Sequence, residues 1–300
     1  MKSKSKMWLE KAVYAYKTLV LRQQSPWLVG IVITDKCNLN CHYCQSKNCG
    51  EYHFTWPMVC QALDSAYQRG CRSLYFTGGE PMLWRSGGKR IHDVVAYAQY
   101  LGFHEIFVFT NGTFPLDTPD CHFIVTIDGP KAVHETIRPG TYDLILQNVR
   151  QAATKTIFAS ITLGRQNADC IEEYAREMST TGLFRGISFN LLTHWPEMIR
   201  EHGIPPAERP AIMDRLWRLK QQGYPIVLSK AAWRALRHNN WKRPIRQIQL
   251  VTNRRVFDCC RDIDNPEICE NCGYANCVEV AQILALRPSA LWQVLKMTGN

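Results

Sequence analysis

The composition is that of a globular protein without a membrane span. The chain has 300 residues, of which 46% are apolar and 21% are charged, and its formal net charge is +10. These proportions are ordinary for a globular protein with a sizeable core. No apolar run reaches the length of about 18 residues that a transmembrane helix needs. Glu10, Lys11 and Lys17 interrupt the apolar stretch near the N-terminus, so we expect no signal peptide and a cytoplasmic protein, with peripheral membrane attachment as an alternative.

The cysteines are numerous and odd in number. There are 13 of them, and without an export signal they argue against a disulfide framework and for a reducing compartment. Their use is then either metal binding or packing as small apolar side chains. Four of them fall in predicted helices, strands or their ends, and we interpret these as packing residues: Cys60, Cys71, Cys121 and Cys170.

Residues 1–24 predict a basic amphipathic helix. They contain six Lys or Arg and one acid. Apolar residues partly follow one helical face: Met7, Trp8, Leu9, Val13, Tyr14 and Tyr16. Such a helix either docks on an anionic membrane surface or packs beneath the rest of the protein. We favour packing, because half of the cations precede Met7 and the apolar positions are bulky and aromatic.

The first strand leads into a group of three cysteines. Residues 27–34 (WLVGIVIT) form a short apolar, β-branched run that predicts a buried strand. Cys37, Cys41 and Cys44 follow in the loop. Three thiolates at this spacing can hold three corners of a 4Fe–4S cluster and leave one iron open. The alternative is a structural zinc site with Cys49 as the fourth ligand, although such sites usually show paired C-x₂-C spacings.

The following residues alternate between strands and helices. Strands are predicted to begin near residues 27, 73, 105, 123, 156 and 186, with helices over 55–69, 89–101, 140–153 and 169–180. This alternation predicts a parallel sheet. Polar residues and glycines recur where the strands end, as in Gly78-Gly79-Glu80-Pro81, Asn111-Gly112 and Asp128-Gly129-Pro130. Glycines let the backbone approach a ligand, and Glu80 can accept hydrogen bonds from an ammonium group.

Taken together, these motifs resemble the radical S-adenosylmethionine (SAM) superfamily. The resemblance rests on the CxxxCxΦC loop (Φ aromatic, here Tyr43), Gly-Gly-Glu-Pro one βα unit later, Thr-Asn-Gly after the third strand, and residues 126–129 (TIDG) with His134 and Arg138 after the fourth. It covers roughly residues 27–190 and implies a partial (β/α)₆ TIM barrel. It also implies that SAM chelates the open iron, and that an electron from the cluster splits it into methionine and a 5′-deoxyadenosyl radical.

The resemblance further implies roles for individual residues. Cys37, Cys41 and Cys44 would bind the SAM-binding 4Fe–4S cluster. Gly79 and Glu80 would hold the SAM amino group, and Gly78 beside them is a further candidate for SAM binding. The other candidates for SAM binding lie at later strand ends: Asn111, Thr126, Asp128, Arg138, Ser160, Thr162 and Asn190. Active sites of parallel barrels form at the carboxyl ends of strands, where all these residues fall. For Asp128 a helix cap or turn is the alternative, and for His134 and Arg138 an exposed helix face.

Beyond Asn190 the alternation changes. Residues 191–210 are rich in Pro, His and Trp and predict a loop across the barrel mouth. A helix over about 211–222, a short strand at 226–228 and a helix ending at His238 follow. We therefore predict three parts: the N-terminal helix (1–24), the radical SAM partial barrel (25–228) and a cysteine-rich metal-binding extension (229–300).

The extension carries the second group of cysteines. Residues 245–250 and 255–259 predict a β-hairpin. The group consists of Cys259, Cys260, Cys269, Cys272 and Cys277. It resembles a reduced, one-cluster form of the auxiliary SPASM (twitch) extension of radical SAM enzymes, which implies a second 4Fe–4S cluster. A zinc knuckle closed by four thiolates is the alternative, and the spacing leaves open which of Cys259 and Cys260 is a ligand.

Positive charge is concentrated near the extension. Residues 230–255 contain eight Lys or Arg and no acid, with Trp233 and Trp241 among them. This pattern fits a nucleotide or nucleic acid, or a solvated basic face. The function predicted from the resemblance is radical modification of a substrate, with a flavodoxin or ferredoxin as the reducing partner. Peptides or peptide-derived molecules are the leading substrates, and a lipid precursor or a nucleotide is the alternative. A non-catalytic metal-cluster protein that binds nucleic acid is the alternative of another class.

Overall fold

The protein forms one long sheet surrounded by helices. The computed structural model describes residues 4–44, 47–154, 156–193 and 196–298. The strands are β1 Leu28–Thr34, β2 Ser73–Gly78, β3 Glu105–Thr110, β4 His122–Thr126, β5 Ile157–Leu163, β6 Gly186–Leu191, β7 Ile248–Val251 and β8 Val256–Asp258. The helices are α1 Lys4–Leu19, α2 Trp56–Gln68, α3 Ile91–Leu101, α4 Lys131–Ile137, α5 Tyr142–Arg150, α6 Ile171–Thr180, α7 Pro196–His202, α8 Arg209–Gln221, α9 Lys230–His238, α10 Pro266–Glu270, α11 Ala275–Leu284 and α12 Pro288–Thr298.

The sheet is a parallel, barrel-like array. Its spatial order is β6-β5-β4-β3-β2-β1-β7-β8, and β1 to β6 are all parallel to their neighbours. Sequential strands therefore lie side by side, as in a TIM barrel, and at least one helix separates each pair except β3 and β4. The predicted fold class, a partial (β/α)₆ barrel, is confirmed. The carboxyl ends of all six strands meet at one edge, which we call the carboxyl edge.

Alternation along each strand separates the core from the barrel interior. On β1, Val29 and Ile31 belong to the main apolar core, as do Leu74 and Phe76 on β2. The intervening residues lie on the opposite face, where a Cβ on Gly30 would come within 2.1 Å of the Tyr75 ring. A glycine on β1 thus makes room for a tyrosine inside the barrel.

The helix and strand predictions hold with small shifts at the ends. One difference is α7, which forms inside the predicted loop over 191–210, whose residues 194 and 195 lie outside the described part. The short strand predicted at 226–228 is reduced to a single bridge between Ile187 and Ile226. Cys71 and Cys121 are buried in the core, while Cys60 and Cys170 are half-buried, consistent with packing.

The C-terminal hairpin extends the barrel sheet. Strands β7 and β8 pair antiparallel as predicted, but β7 also pairs in parallel with β1. This pairing joins the extension to the barrel through backbone hydrogen bonds. The domain boundary at 228/229 remains a prediction, and the sheet continues across it.

Helix α1 covers the amino ends of the strands. Lys11 Nζ lies 2.8 Å from Glu105 Oε1 at the start of β3, and Glu10 contacts His104 and Arg72. The Tyr14 ring lies 4.7 Å from the ring of Trp27, the residue before β1, in a tilted arrangement. The helix therefore packs beneath the barrel, as predicted. The predicted reason is wrong, because most of the bulky apolar side chains on which the prediction rested stay exposed: Trp8, Leu9, Val13 and Tyr16. Among the described residues no helix is both long and apolar enough to cross a membrane.

Candidate active site and second cysteine group

The three cysteines of the first group lie together at the carboxyl edge, in the loop after β1. Cys41 is buried, and Cys37 and Cys44 are half-buried. Burial raises the pKa of the Cys37 thiol, as do the nearby Glu80 carboxylate and the Cys44 thiol. Burial likewise raises the pKa of Cys41, against the lowering effect of Arg138. These mutual effects place the three sulfurs within electrostatic reach of one another.

This arrangement suits a cluster better than a single ion. In the described part of the chain, no group of three or more His, Cys, Asp or Glu side chains is arranged to hold one metal ion. In a 4Fe–4S cluster each thiolate binds a different iron, so the sulfurs need not converge on one point. Cys49, the fourth ligand of the zinc alternative, donates instead to Asp35 Oδ2 at 3.1 Å.

The two glycines after β2 permit a close approach between backbones. A Cβ on Gly78, whose φ is +140°, would lie 2.0 Å from the Thr34 carbonyl oxygen, and one on Gly79 would lie 2.4 Å from the Asp35 and Lys36 carbonyl oxygens. The Gly79 amide donates to Thr34 O at 2.7 Å. The start of the cysteine loop therefore packs so closely against the end of β2 that only glycine fits at positions 78 and 79.

Glu80 is a fully buried carboxylate that joins the ends of β2 and β3. Its Oε1 accepts from the Met82 amide at 2.9 Å and from Thr110 Oγ1 at 2.7 Å, and its Oε2 accepts from the Asn111 amide at 2.7 Å. Burial raises the pKa of Glu80, and these hydrogen bonds act against that rise. A carboxylate offers about four acceptor positions. Three are occupied, so one remains for an ammonium group, which fits the predicted contact with SAM.

Asn111 connects β3 to the cysteine loop. Its Nδ2 donates to Asn38 Oδ1 at 2.9 Å and lies 3.9 Å from the Cys37 sulfur. Hydrogen bonds to cysteine sulfurs tune the reduction potentials of iron–sulfur clusters. The side chain predicted to bind SAM is thus placed beside a candidate cluster ligand.

Tyr43, Asp128 and Arg138 form a buried hydrogen-bonded triad. The Tyr43 hydroxyl donates to Asp128 Oδ2 at 2.6 Å, Arg138 Nε donates to the same oxygen at 2.6 Å, and Arg138 Nη2 donates to Tyr43 Oη at 2.9 Å. The exposed helix face considered for Arg138 is therefore wrong. The triad ties the aromatic residue of the cysteine loop to the end of β4.

His134 supports this triad from α4 and is also buried, which corrects the exposed alternative. The Asp128 amide donates to its Nδ1 at 3.1 Å. That nitrogen must be unprotonated, so Nε2 carries the hydrogen and donates to Thr141 Oγ1 at 2.9 Å. Burial lowers the pKa of His134 from 6.5 to about 4. A neutral imidazole therefore fixes the backbone at Asp128.

The remaining predicted SAM residues lie farther along the same edge. Thr126 pairs with Ser160 across β4 and β5, and Thr162 pairs with Asn190 across β5 and β6. Asn190 already has a partner, because its Oδ1 accepts from the Ala275 amide at 3.1 Å. This bond anchors the start of α11 on β6.

All five C-terminal cysteines are brought together. A hydrogen bond with Cys260 lowers the pKa of Cys259. A hydrogen bond with Cys277 and burial outweigh this effect, so the pKa of Cys259 is raised. Burial raises the pKa of Cys272 to about 11, with contributions from Cys260 and Cys269. The sequence predicted this group as neighbours in the chain, and the structure brings its members close enough to influence one another.

This second group lies between the two edges of the open sheet. The Cys259 amide donates to Ile248 O of β7 at 2.6 Å, and the Leu191 amide of β6 donates to Gly273 O at 3.2 Å. The cysteine-rich segment therefore bridges the gap that a partial barrel leaves. A Cβ on Gly273 would lie 2.5 Å from the Leu191 Cβ, so a glycine is needed for this approach.

Sequence reasoning missed the barrel interior beside this group. Burial, followed by the nearby thiols of Cys277, Cys259 and Cys260, raises the pKa of Tyr75. Arg261 lies 5.8 Å from the Tyr52 ring, in the segment after the first cysteine group. Tyr75 sits at an inward position of β2, and that alternation was the only available signal.

The fold is a parallel barrel, and its candidate site residues lie at the carboxyl edge. The family model described as the radical SAM superfamily matches residues 31–178. The chain therefore contains a domain of the radical SAM superfamily, and the predicted resemblance is confirmed. Enzymes of this superfamily use a 4Fe–4S cluster and SAM, which disfavours the non-catalytic alternative.

Two curated relatives are GTP 3′,8-cyclases. The one from Bradyrhizobium diazoefficiens is 27% identical over 135 residues, which is 41% of this chain and 39% of that protein. The one from Nitrobacter winogradskyi is 27% identical over 172 residues, or 50% of each chain. The match thus spans half or less of these relatives.

Solved structures share the fold over a larger part of the chain. SuiB of Streptococcus suis bound to S-adenosylmethionine superimposes with a TM-score of 0.64 at 11% identity, covering 89% of this chain and 68% of SuiB. The anSMEcpe enzyme with bound AdoMet and a peptide gives a TM-score of 0.58 at 14% identity, covering 79% of this chain and 75% of that one. At these identities the likeness shows the fold alone.

Proposed function

We propose that this protein cleaves SAM reductively at a 4Fe–4S cluster held by Cys37, Cys41 and Cys44. The main support for the proposal is that these three sulfurs and the buried Glu80 carboxylate lie close together at the carboxyl edge of the barrel. When bound, the cluster supplies an electron that splits the sulfonium of SAM into methionine and a 5′-deoxyadenosyl radical. A flavodoxin or ferredoxin is the proposed source of that electron.

The chain's own residues would orient SAM and keep water away. Glu80 has one acceptor position left for the SAM ammonium, and Gly78 and Gly79 bring the cysteine loop against it. Thr126, Ser160 and Thr162 remain the candidates for polar contacts with SAM. Asp128, Arg138 and Asn190 are proposed as positioning residues, because their polar atoms already engage Tyr43 and Ala275.

The test is anaerobic reconstitution with iron and sulfide, followed by SAM and dithionite. We expect 5′-deoxyadenosine from the parent protein and none from Cys41→Ala, which lacks one of only three ligands. Cys60→Ala is the matched control, since Cys60 is half-buried on α2, outside the cysteine loop, and it should retain product formation. Undiminished product from Cys41→Ala would contradict the proposal.

The C-terminal cysteines are proposed to hold a second metal centre. A 4Fe–4S cluster is the leading candidate and zinc is the alternative. The support is the convergence of five thiols in a segment that bridges the sheet edges. A variant with Cys37, Cys41 and Cys44 all replaced by Ala should keep bound metal, and additional replacement of Cys269 and Cys272 should remove it. Iron with sulfide supports the cluster, zinc supports the knuckle, and a folded metal-free triple variant rejects both.

A peptide or peptide-derived molecule is the proposed substrate. Its support is the likeness to SuiB and anSMEcpe, which covers 89% and 79% of this chain, and both have been crystallised with peptides. A nucleotide is the second candidate, since the curated relatives are GTP 3′,8-cyclases. The rate of 5′-deoxyadenosine formation separates them, because a substrate that donates its hydrogen accelerates cleavage. Stimulation by a peptide library but not by GTP is expected, and the reverse would favour the nucleotide.

A further inference from the structure

Helix α1 has its polar and apolar faces reversed relative to an ordinary surface helix. The face against the barrel makes polar contacts: Lys11 binds Glu105, Glu10 contacts His104, and the Tyr14 hydroxyl donates to Ser25 O. A surface helix usually turns its apolar stripe to the core and its polar face to water. Here the packing does not use the apolar stripe, which is left facing outward.

The outward face of α1 is a continuous apolar stripe. Leu9, Val13, Tyr16 and Val20 follow one another at helical spacing and are 64%, 43%, 55% and 62% exposed. Trp8 beside them is 52% exposed. Residues three and four apart occupy one side of a helix, so these side chains form one apolar surface and are not isolated exposed residues.

The C-terminal helix adds a second apolar surface in the same region. Leu286, Leu291, Trp292 and Leu295 are exposed in and just before α12. Ten of the fourteen exposed large apolar side chains in the described residues lie within 8–21 and 286–295. Both α1 and α12 contact α11. We call these ten side chains the terminal apolar face. Concentrated exposure of this kind marks an interaction surface.

The charge around this face indicates its partner. Residues 1–24 carry six Lys or Arg and one acid. Glu10 is engaged with His104 and Arg72, and Lys11 is engaged with Glu105, so the other five charged residues of this segment are all cations. Residues 284–300 add Arg287 and Lys296 and no acid. An apolar surface flanked by cations is complementary to anionic lipid headgroups over acyl chains. A second copy of this chain would present the same positive charge and be repelled.

We propose that the terminal apolar face docks the protein on an anionic membrane surface. Its apolar side chains enter the boundary between headgroups and acyl chains, and its cations lie at the headgroups. Because α1 covers the amino ends of the strands, the carboxyl edge with the candidate site then points away from the bilayer. Docking would locate the enzyme at the membrane while its site opens toward water. The proposal is independent of SAM cleavage.

Vesicle flotation with the full-length protein tests the proposal. Vesicles of phosphatidylcholine alone are compared with vesicles containing phosphatidylglycerol at low and high salt. We expect binding to the anionic vesicles only, weakened by salt because the cations are screened. The double variant Leu9→Glu/Val13→Glu should lower the apparent partition by at least about tenfold, since two buried apolar side chains are lost from the bilayer contact.

A matched control separates docking from general surface charge. Tyr100→Glu/Leu144→Glu also replaces two exposed apolar side chains, on α3 and α5, and should bind vesicles as the parent does. Circular dichroism melting should match for all three proteins, because none of the four positions is buried. The proposal is overturned by an absence of vesicle binding, or by equal loss in the control variant. A concentration-dependent dimer that Leu9→Glu/Val13→Glu dissociates in the absence of lipid would also overturn it and identify a second copy as the occupant.

Discussion

Arg138 Nε donates a 2.6 Å hydrogen bond to Asp128 Oδ2, and both side chains are buried. The pair joins the end of α4 to the end of β4, and the Tyr43 hydroxyl completes it. Tyr43 lies between Cys41 and Cys44, so the pair holds the cysteine loop from the far side of the site. The pair therefore links the stability of the fold to the position of the candidate cluster ligands.

Replacing either member of this pair should lower the free energy of unfolding. We expect Asp128→Asn to lower the free energy of unfolding by about 3–5 kcal/mol, because Arg138 is left buried without its carboxylate. Tyr43→Phe should cost about 1.5–3 kcal/mol, the value of a hydrogen bond to a charged group. Urea unfolding measures both. The control is Asp143→Asn, whose partner Lys131 is exposed, with an expected cost below about 1 kcal/mol. Equal costs for Asp128→Asn and Asp143→Asn would refute the role of the pair.

His134 should make stability depend on pH. Its folded-state pKa of about 4 lies below the unfolded value of 6.5. The unfolded state therefore binds a proton first, and stability that is fully present above pH 6.5 is lost as pH falls toward 4. The contribution is on the order of 3 kcal/mol. His134→Asn keeps an acceptor for the Asp128 amide but does not titrate, so its unfolding free energy should fall less steeply over this range.

The control for this pH dependence is His92→Asn, since the His92 side chain is 48% exposed. It should keep the slope of the parent protein. If His134→Asn also keeps that slope, then His134 is not the titrating group.

Glu80→Gln should separate SAM binding from cluster binding. The amide keeps the size of the side chain but loses the charge that an ammonium group prefers, and charged hydrogen bonds are the stronger ones. We expect SAM affinity to fall by about 1–3 kcal/mol, or roughly 5- to 150-fold, with unchanged iron content. Equilibrium binding to the reconstituted protein measures this. Glu172→Gln, which removes a carboxylate bound to Arg215, is the control. Equal SAM affinity in Glu80→Gln and the parent would leave Glu80 as a link between β2 and β3 only.

The contact between Lys11 and Glu105 should fix α1 to the barrel. Both side chains are 21% exposed and lie 2.8 Å apart, and Ser73 also donates to Glu105. A double-mutant cycle with Lys11→Met and Glu105→Gln should give a coupling of about 1 kcal/mol. The exposed pair Arg200 and Glu197, 3.6 Å apart, should give a value near zero. No coupling at Lys11 and Glu105 would mean that α1 is not held by this pair.

The agreement between sequence and structure is greatest where the signal is local. The strand starts and most helices follow from short apolar runs and helical periodicity, which depend on neighbouring residues. The grouping of Cys37, Cys41 and Cys44 follows from their spacing within one loop. Their position near Glu80 follows from the parallel alternation, because all strand ends must then meet at one edge.

Roles that depend on distant partners were not predictable. Asp128 and Arg138 are candidates for SAM binding, and only the structure shows that their polar atoms bind each other and Tyr43. Asn190 was placed with them because it ends a strand, but its side chain anchors α11. The type of a residue at a strand end shows which hydrogen bonds its side chain can make. The hydrogen bonds that it does make depend on the side chains that the fold brings near it.

The sequence by itself determined the chemistry of this protein: a three-cysteine loop, the Gly-Gly-Glu-Pro turn and a second cysteine group on an alternating α/β frame. Only the tertiary structure decided that β7 pairs with β1 and that the second group bridges the open barrel. It also decided that α1 turns its apolar stripe outward. Spacing and periodicity are local properties of the chain, whereas pairing, burial and the direction of a helix face arise from contacts between residues far apart in sequence.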